Sequence, residues 1–472
     1  MRTKSLIGFI GLLLWQAVGC AYANQTDEVD ADANKALRQL RNSPSAADSK
    51  VLQTLHMLLE TTKSKPQTKL SIDQQQQLLA TTANHPSWKN LAEQLRQSSY
   101  EVDRAKSSLM PKVYATADAG TRRLGDNPVY KTERYEYKST NVQLGVRQLL
   151  YDSGASFKMI DAAVERKEST KARVVNSESE LLLSITNAVY ERQRLALLGL
   201  WESSIAIERN KMQQQAAARH SLGSGTIYDF ARAKSKAVES ELGFKYISSQ
   251  TKSVEEFLRS IGANENFILP AFIYTPQAMT PTDVAWEHQA VLEAVKKLNA
   301  LKLEYEAEKS RKRPQAYLDV STNKRKYASP YQGATLDSSA IISLSYDVYT
   351  GGYDTSSLAI TLTKMNQAEA DLESIKLDVA NTIARSRNEL ATLHSNFQLM
   401  QESVRMAADG YIASKELFEY RKGSLVDIQR NEDELSGQVR KLINAWFDLS
   451  LISFRLAHQE GRLTHLVHQL SR

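Results

Sequence analysis

One cysteine, Cys20, occurs in 472 residues, which excludes an internal disulfide and any paired-cysteine metal site. The eight histidines are scattered without an HExxH pair, and no GxSxG, P-loop or GxGxxG before a helix occurs. No catalytic residue, cofactor site or metal site is therefore expected, and the reading is not that of an enzyme. Proline is missing from the entire chain after Pro330. Past the N-terminal segment no apolar run reaches the about 18 residues that a transmembrane helix needs. Charge of one sign is also lacking: 60 Lys and Arg face 54 Asp and Glu, with no long basic run, so nucleic acid is not an expected partner.

The absence of proline exposes two long stretches. Ala155 to Leu222 contains no proline and one glycine, Gly199, and Tyr353 to Lys422 contains no proline and one glycine, Gly410. As single helices, each would be about 100 Å long at about 1.5 Å per residue. Ile160, Val164, Val174, Leu181, Ile185, Val189 and Leu197 follow one another at sums of threes and fours, the pattern of helices packed side by side. The Asp, Glu and Lys residues along the rods read as solvated faces.

Residues 1–23 read as a secretory signal, with Arg2 and Lys4 before an apolar run from Leu6 to Leu14. Ala21-Tyr22-Ala23 suits cleavage before Asn24. The alternative, Ala17-Val18-Gly19-Cys20, is lipobox-like and would leave an acylated Cys20; Ala17 in place of leucine favours ordinary cleavage. Residues 24–84 form a polar extension, with short helices expected at Val51–Glu60 and Ile72–Thr81.

From His85 the chain repeats itself. Repeat one spans 85–262 and repeat two 285–472, with a proline-containing linker at 263–284. His288 follows His85 by 203 residues, and Pro314 follows Pro111 by the same 203. Each proline marks a switch from helix to strand. Beyond them the period becomes two: Val113, Ala115 and Ala117, then Val142, Leu144 and Val146, then Leu318 and Val320, then Ile342, Leu344, Tyr346 and Val348 alternate with mostly polar neighbours. Four strands are predicted at about 112–123, 140–150, 315–325 and 339–349, each of a length that crosses a bilayer when tilted. A half-buried soluble hairpin is the competing reading for any one pair. The loops between them, Arg123–Ser139 and Lys324–Ser338, carry tyrosines (Tyr130, Tyr135, Tyr137, Tyr327, Tyr331) that suit a membrane interface or a plain loop.

Gly154 opens the first rod, and Gly351 with Gly352 opens the second. Gly223 and Gly225 end the first rod, and Gly423 ends the second. Gly352 follows Gly154, and Gly423 follows Gly225, by an identical 198 residues. Equal rods beside loops of unequal length fit a fixed distance being spanned. A returning helix is predicted after each tip, from Phe230 to about Arg259 and from about Ile428 toward His465. Asp229 and Asp427 begin these helices, where a carboxylate favours the helix dipole.

Together these features resemble the TolC family of trimeric outer-membrane exit ducts. The carriers are the His-Pro opening at His85, the Pro111 and Pro314 switches, Leu149-Leu150-Tyr151-Asp152-x-Gly154 and Val348-Tyr349-x-Gly351-Gly352. At the tips they are Gly223-x5-Asp229 and Leu425-Val426-Asp427-Ile428 with Glu432-x-Glu434-Leu435. The resemblance implies a mainly α fold with a β membrane part, in which two repeats of strand hairpin plus long antiparallel helices assemble as a homotrimer. Its 12-stranded β-barrel, set in outer-membrane lipid, would be continuous with a periplasmic α-helical barrel. The implied partners are a periplasmic adaptor and an inner-membrane transporter. The implied gate at the periplasmic tip comprises Asp229, Tyr420 and Asp427, with Arg430 where the family has a second aspartate. Glu432-x-Glu434-Leu435 and Val348-Tyr349-x-Gly-Gly resemble ducts of type I protein or adhesin secretion more than drug-efflux ducts. A periplasmic adaptor and a structural coiled coil are the alternatives of another class.

Overall fold

The computed structural model describes residues 50–63, 66–124, 135–264, 267–276, 278–329 and 332–468. The signal segment, Cys20 and all of the extension before Lys50 lie outside the described residues. The first helices are α1 (Lys50–Lys63), α2 (Ile72–Asn84) and α3 (Pro86–Lys106). His85 caps α3 by accepting the Ser87 N–H on Nδ1, and His288 caps a later helix by accepting the Ala290 N–H in the same way. The 203-residue spacing thus corresponds to one capping device used twice.

After Pro111 come β1 (Lys112–Leu124) and β2 (Tyr135–Tyr151), and then the first rod, α4 (Ala155–Ser221). Gly154 takes the left-handed conformation at its entrance, and both Asp152 carboxylate oxygens accept backbone N–H groups there, from Gly154 and Ser156. The returning helix α5 (Ile227–Ser260), the short α6 (Pro281–Ala285) and α7 (Gln289–Arg311) lead past Pro314 into β3 (Gln315–Ser329) and β4 (Gln332–Ser345). The second rod α8 (Tyr353–Glu419), α9 (Leu425–Gln459) and α10 (Leu463–His468) complete the chain. Both rods have 67 residues. Among the described residues no helix is long and apolar enough to cross a membrane.

The four strands form one antiparallel sheet in the order β1-β2-β3-β4. Its register sorts the side chains by face. Ala115 lies opposite Leu144 and Val113 opposite Val146, while Val146 lies opposite Val320 and Leu318 opposite Ile342. The reverse face carries Gln143, Asn323, Ser321 and Ser339, and an ion pair of 2.6 Å from Arg147 to Asp319. The apolar face has no cover: Leu144 is 53% exposed and Ile342 70%.

The strands depart from their expected limits. β2 starts at Tyr135 rather than near 140, and β3 and β4 continue to Ser329 and back from Gln332, through the stretch expected to be a long loop. The ladder persists where the regular apolar alternation that marks it in the sequence has given way to mixed residues. β4 ends at Ser345, not 349, because β3 begins at Gln315 and has nothing to pair with Tyr346–Val348. Tyr130 and Tyr331 lie outside the described residues, as do the side chains of Tyr135, Tyr137 and Tyr327.

The long helices lie side by side. α4 packs on α3 and α7 near the sheet and on α5 and α9 toward the tip, and α8 packs on α7 and then α9. Val174, Leu181, Ile185 and Val189 are buried, whereas Val164 is exposed on the isolated chain. The extension, with no counterpart in the second repeat, pads the middle of the rods. Its Leu55, Leu58 and Leu78 join Phe267, Leu269 and Phe272 of the linker in a core that includes Tyr190 and Phe454. Gln67 bridges Phe272 in parallel, and the Tyr190 hydroxyl donates to the Pro270 carbonyl at 2.6 Å. Here α9 stops at Gln459 instead of running on to His465. Gly461 takes a positive φ of 68° and the Arg462 N–H turns back to the Ala457 carbonyl, which ends the helix.

Candidate functional site

The far ends of the rods bring the expected gate residues to one end of the molecule. In the first tip Gly223 is left-handed, and the Ser224 and Gly225 N–H groups both donate to the Arg219 carbonyl at 3.0 Å. A Cβ at Gly225 would lie 2.9 Å from the Arg219 Cβ, so closeness of approach requires glycine there. The second tip reproduces this hydrogen bonding with Lys422 and Gly423 donating to Leu417. Its left-handed position is held by Arg421 at φ 57°.

Asp229 and Asp427 are both capping residues in the single chain. Thr226 opens α5: its hydroxyl accepts the Asp229 N–H at 3.1 Å and donates to the Asp229 carboxylate at 2.8 Å. Ser424 opens α9 with a full capping box: its hydroxyl and N–H both donate to Asp427 Oδ2, at 2.6 and 3.1 Å. Those two bonds hold the Asp427 carboxyl below the usual carboxylate range, with a smaller contribution from the nearby Arg430 charge. Tyr420 is 76% exposed just past α8, and Arg430 is exposed on α9. Among the described residues, no hydrogen bond or ion pair joins Asp229, Tyr420, Asp427 and Arg430 to one another. The tips touch instead through the Arg219 guanidinium, 4.3 Å from the centre of the Phe418 ring.

About 20 Å above the tips, counting 13 residues back along the rod, lies a set of charges that includes Glu202, Glu208 and Lys415, rod residues expected on a solvated face. Arg209 of α4 reaches Glu432 at 3.2 Å and Asp433 at 2.5 Å on α9. Lys236 of α5 meets Asp433 at 3.1 Å. Glu208 pairs with Lys415 of α8 at 2.7 Å, and Glu202 takes both arms of Arg440 at 2.5 and 2.9 Å. Glu202, Glu208, Arg209 and Glu432 are buried. Burial pushes the Glu432 carboxyl up to about 7, opposed by Arg209, and its Oε1 has no partner. The signal was present in the spacing. Glu202, Glu208 and Arg209 stand on the same stripe as Trp201, Ile205 and Met212, which makes them inward-facing.

At mid-rod a second polar group closes the pad. Glu460 accepts from the Tyr274 hydroxyl at 2.8 Å and from Arg387 at 2.9 Å, and the Ser179 hydroxyl lies 2.7 Å from His458 Nδ1. Burial, and then the nearby His288, push His458 down to about 4. No cluster able to hold a metal ion occurs among the described residues.

A family model described as outer membrane efflux protein matches residues 76–244 and 281–450. No curated protein sequence matches the chain. Solved structures share the fold at low identity. The outer membrane protein VceC of Vibrio cholerae superposes with a TM-score of 0.72 at 15% identity, covering 82% of this chain and 96% of VceC. The CmeC outer membrane channel of Campylobacter jejuni gives 0.73 at 10% identity, covering 85% and 90%. The open state of the MtrE outer membrane channel of Neisseria gonorrhoeae gives 0.68 at 13% identity, covering 83% and 89%.

Proposed function

Because the chain belongs to the outer membrane efflux protein family, we propose that it is the passive exit duct of an export machine, closed by three copies of itself. The observation that carries this reading is the open four-stranded sheet at the head of the rods, apolar on one face and polar on the other. Four strands cannot close, and an open edge in lipid leaves backbone N–H and C=O groups unpaired. β1 and β4 are those edges. Three protomers supply twelve strands, with the Arg147–Asp319 face toward the lumen. The helices below are left open on the same two flanks, α3 with α5 and α8, so the same threefold closure forms the hollow stalk.

Energy and cargo choice then belong to an inner-membrane transporter reached through a periplasmic adaptor at the rod tips. Asp229, Tyr420, Asp427 and Arg430 form the gate, each copy's tip meeting the next. For cargo, the motif that suggested protein secretion loses weight, because Glu432 is turned inward onto Arg209 and serves packing. The family description names efflux, and we take small molecules as the cargo class. Deletion of the gene should raise sensitivity to toxic small amphiphiles while the secreted proteins stay unchanged; loss of a protein from the medium instead would return the reading to type I secretion. For the gate, Asp427→Ala with Tyr420→Phe should raise the open probability of purified trimers in planar bilayers. An unchanged open probability would count against these residues.

A further inference from the structure

We propose that the outward face of the sheet carries a binding site for a lipid headgroup whose phosphate leaves it with net negative charge, formed by Lys138, Lys324 and Lys326. The inference rests on the placement of this sheet in the outer membrane and not on any choice of cargo.

The register puts these three lysines on the apolar face. Val142 lies opposite Lys324, and Lys324 lies opposite Leu336, both apolar partners on the lipid-facing side. Lys326 is two residues further along β3, opposite Thr140, and Lys138 follows two residues beyond Thr140 on β2. Residues two apart on a strand are about 7 Å apart on one face, and diagonal partners on adjacent strands are about as close. Three flexible ammonium groups therefore converge on one patch.

The patch sits at a defined level. The strand ends at Lys112, Tyr151, Gln315 and Ser345 lead to the helices, so the opposite ends point away from the periplasm. From Ala316 to Lys324 the apolar face runs about 27 Å along the strand, or about 20 Å in height at a tilt of about 45°. The lysines begin where that band ends, at the outer headgroup level.

All three lysines are exposed. Ala119, Thr121, Thr140, Ala334, Leu336 and Ser338 around them carry no carboxylate. The acidic residue nearest them on that face, Glu136, is two residues from Lys138 on β2 and opposite Arg123 in the register. The basic residue between them, Arg325, belongs to the other face. Arg123 and the three lysines, set against the single carboxylate of Glu136, leave this level of the outward face cationic at the edge of an apolar band, which complements an anionic headgroup whose chains cover that band.

Native mass spectrometry of delipidated trimers tests this, titrating phosphatidylglycerol, phosphatidylcholine of the same chains, and inorganic phosphate. Phosphatidylglycerol should bind and phosphatidylcholine should not. Lys138→Gln/Lys324→Gln/Lys326→Gln should weaken it about a hundredfold, at roughly fivefold for each lysine near a charged surface. The triple arginine variant should retain it, which keeps the test decisive if the glutamine variant fails to assemble. Equal binding of the two lipids, retention by the glutamine variant, or displacement by inorganic phosphate at equal concentration would overturn the proposal.

Discussion

Replacement of Arg209 by methionine tests whether the buried charges tie the two helical hairpins together. Arg209 is 4% exposed, and its partner Glu432 is 1% exposed. Burial raises the Glu432 carboxyl from 4.5 to about 7. At about 1.4 kcal/mol per unit, the ionised form carries a net penalty of about 3 kcal/mol. Methionine fills the volume of the arginine stem but leaves Glu432 and Asp433 without their guanidinium, and a buried pair broken from one side costs about 3–5 kcal/mol. Glutamine at position 432 keeps an acceptor for Arg209 and removes the buried charge, so Glu432→Gln costs about 1 kcal/mol or less. The double variant should recover about 2 kcal/mol of the methionine loss, since Lys236 still holds Asp433 at 3.1 Å. Guanidinium unfolding of the detergent-held protein, followed by helical circular dichroism, gives the three values.

The pH dependence sharpens the test. Between pH 4.5 and 7 native Glu432 keeps a proton that the unfolded chain has released, so its contribution to stability falls as pH rises through that window, by about 3 kcal/mol in all. Glutamine does not titrate, so the difference between wild type and Glu432→Gln should slope across the window. A flat difference, or an Arg209→Met cost under about 1 kcal/mol, refutes the reasoning.

Three further outcomes follow from other places in the fold. His458, held down to about 4 mainly by burial, refuses a proton that the unfolded chain accepts below about 6.5. Its contribution is therefore lost as pH falls from about 6.5 to 4, by about 3 kcal/mol, and His458→Gln should flatten that acid limb of the same unfolding measurement. Arg421→Gly relieves a left-handed arginine and should stabilise by about 0.5–1 kcal/mol after the entropy of glycine is deducted, read as a raised unfolding midpoint. Gly145→Val places a Cβ 2.4 Å from the Tyr114 ring across the β1–β2 pair. It should abolish heat-resistant trimers on gels, and Tyr114→Ala should partly restore them.

The parts of this fold that were legible in the sequence are those encoded by a local period. Proline-free rods, alternating strands and the Pro111 and Pro314 switches need only neighbouring residues, and the limits of both rods agree with the expected ones within a few positions. Strand ends were less legible. Tyr135 to Ser139 and Gln332 to Ser338 pair because a ladder continues beyond them, not because of any apolar pattern. Glu202 and Glu208 on the first rod were misread as solvated, and the cluster they join was not legible, because Arg209, Glu432 and Asp433 meet from helices more than two hundred residues apart, though the stripe holding Trp201 and Met212 marks Arg209 as inward. The extension gave no sign of its role, because Leu55 and Leu78 are padding for a core that Phe267 and Phe454 complete from elsewhere. The tip aspartates were legible as caps, which is what the single chain makes of them.

The two repeats show which constraint the backbone obeys. At the rod entrance the left-handed residue before the glycine is Ser153 in the first repeat and Gly351 in the second; at the tip it is Gly223 in the first and Arg421 in the second. Each pair is 198 residues apart. At both places one copy carries a residue that strains that conformation, yet the turn geometry and the 67-residue rod are kept. The interval between the two turns is therefore held more tightly than the residue that makes each turn easy. A reason lies in the seams. β1 follows α3, and β4 runs within seven residues into α8, so each unpaired sheet edge continues into an unpaired helix flank. Along such a seam a neighbouring copy must meet strand with strand and tip with tip at once. A rod lengthened by one residue would rotate everything beyond it by about 100° and advance it by about 1.5 Å. That would turn the tip residues off the seam while the strands stayed in register. Equal rods are what allow one threefold closure to serve the sheet and the stalk together.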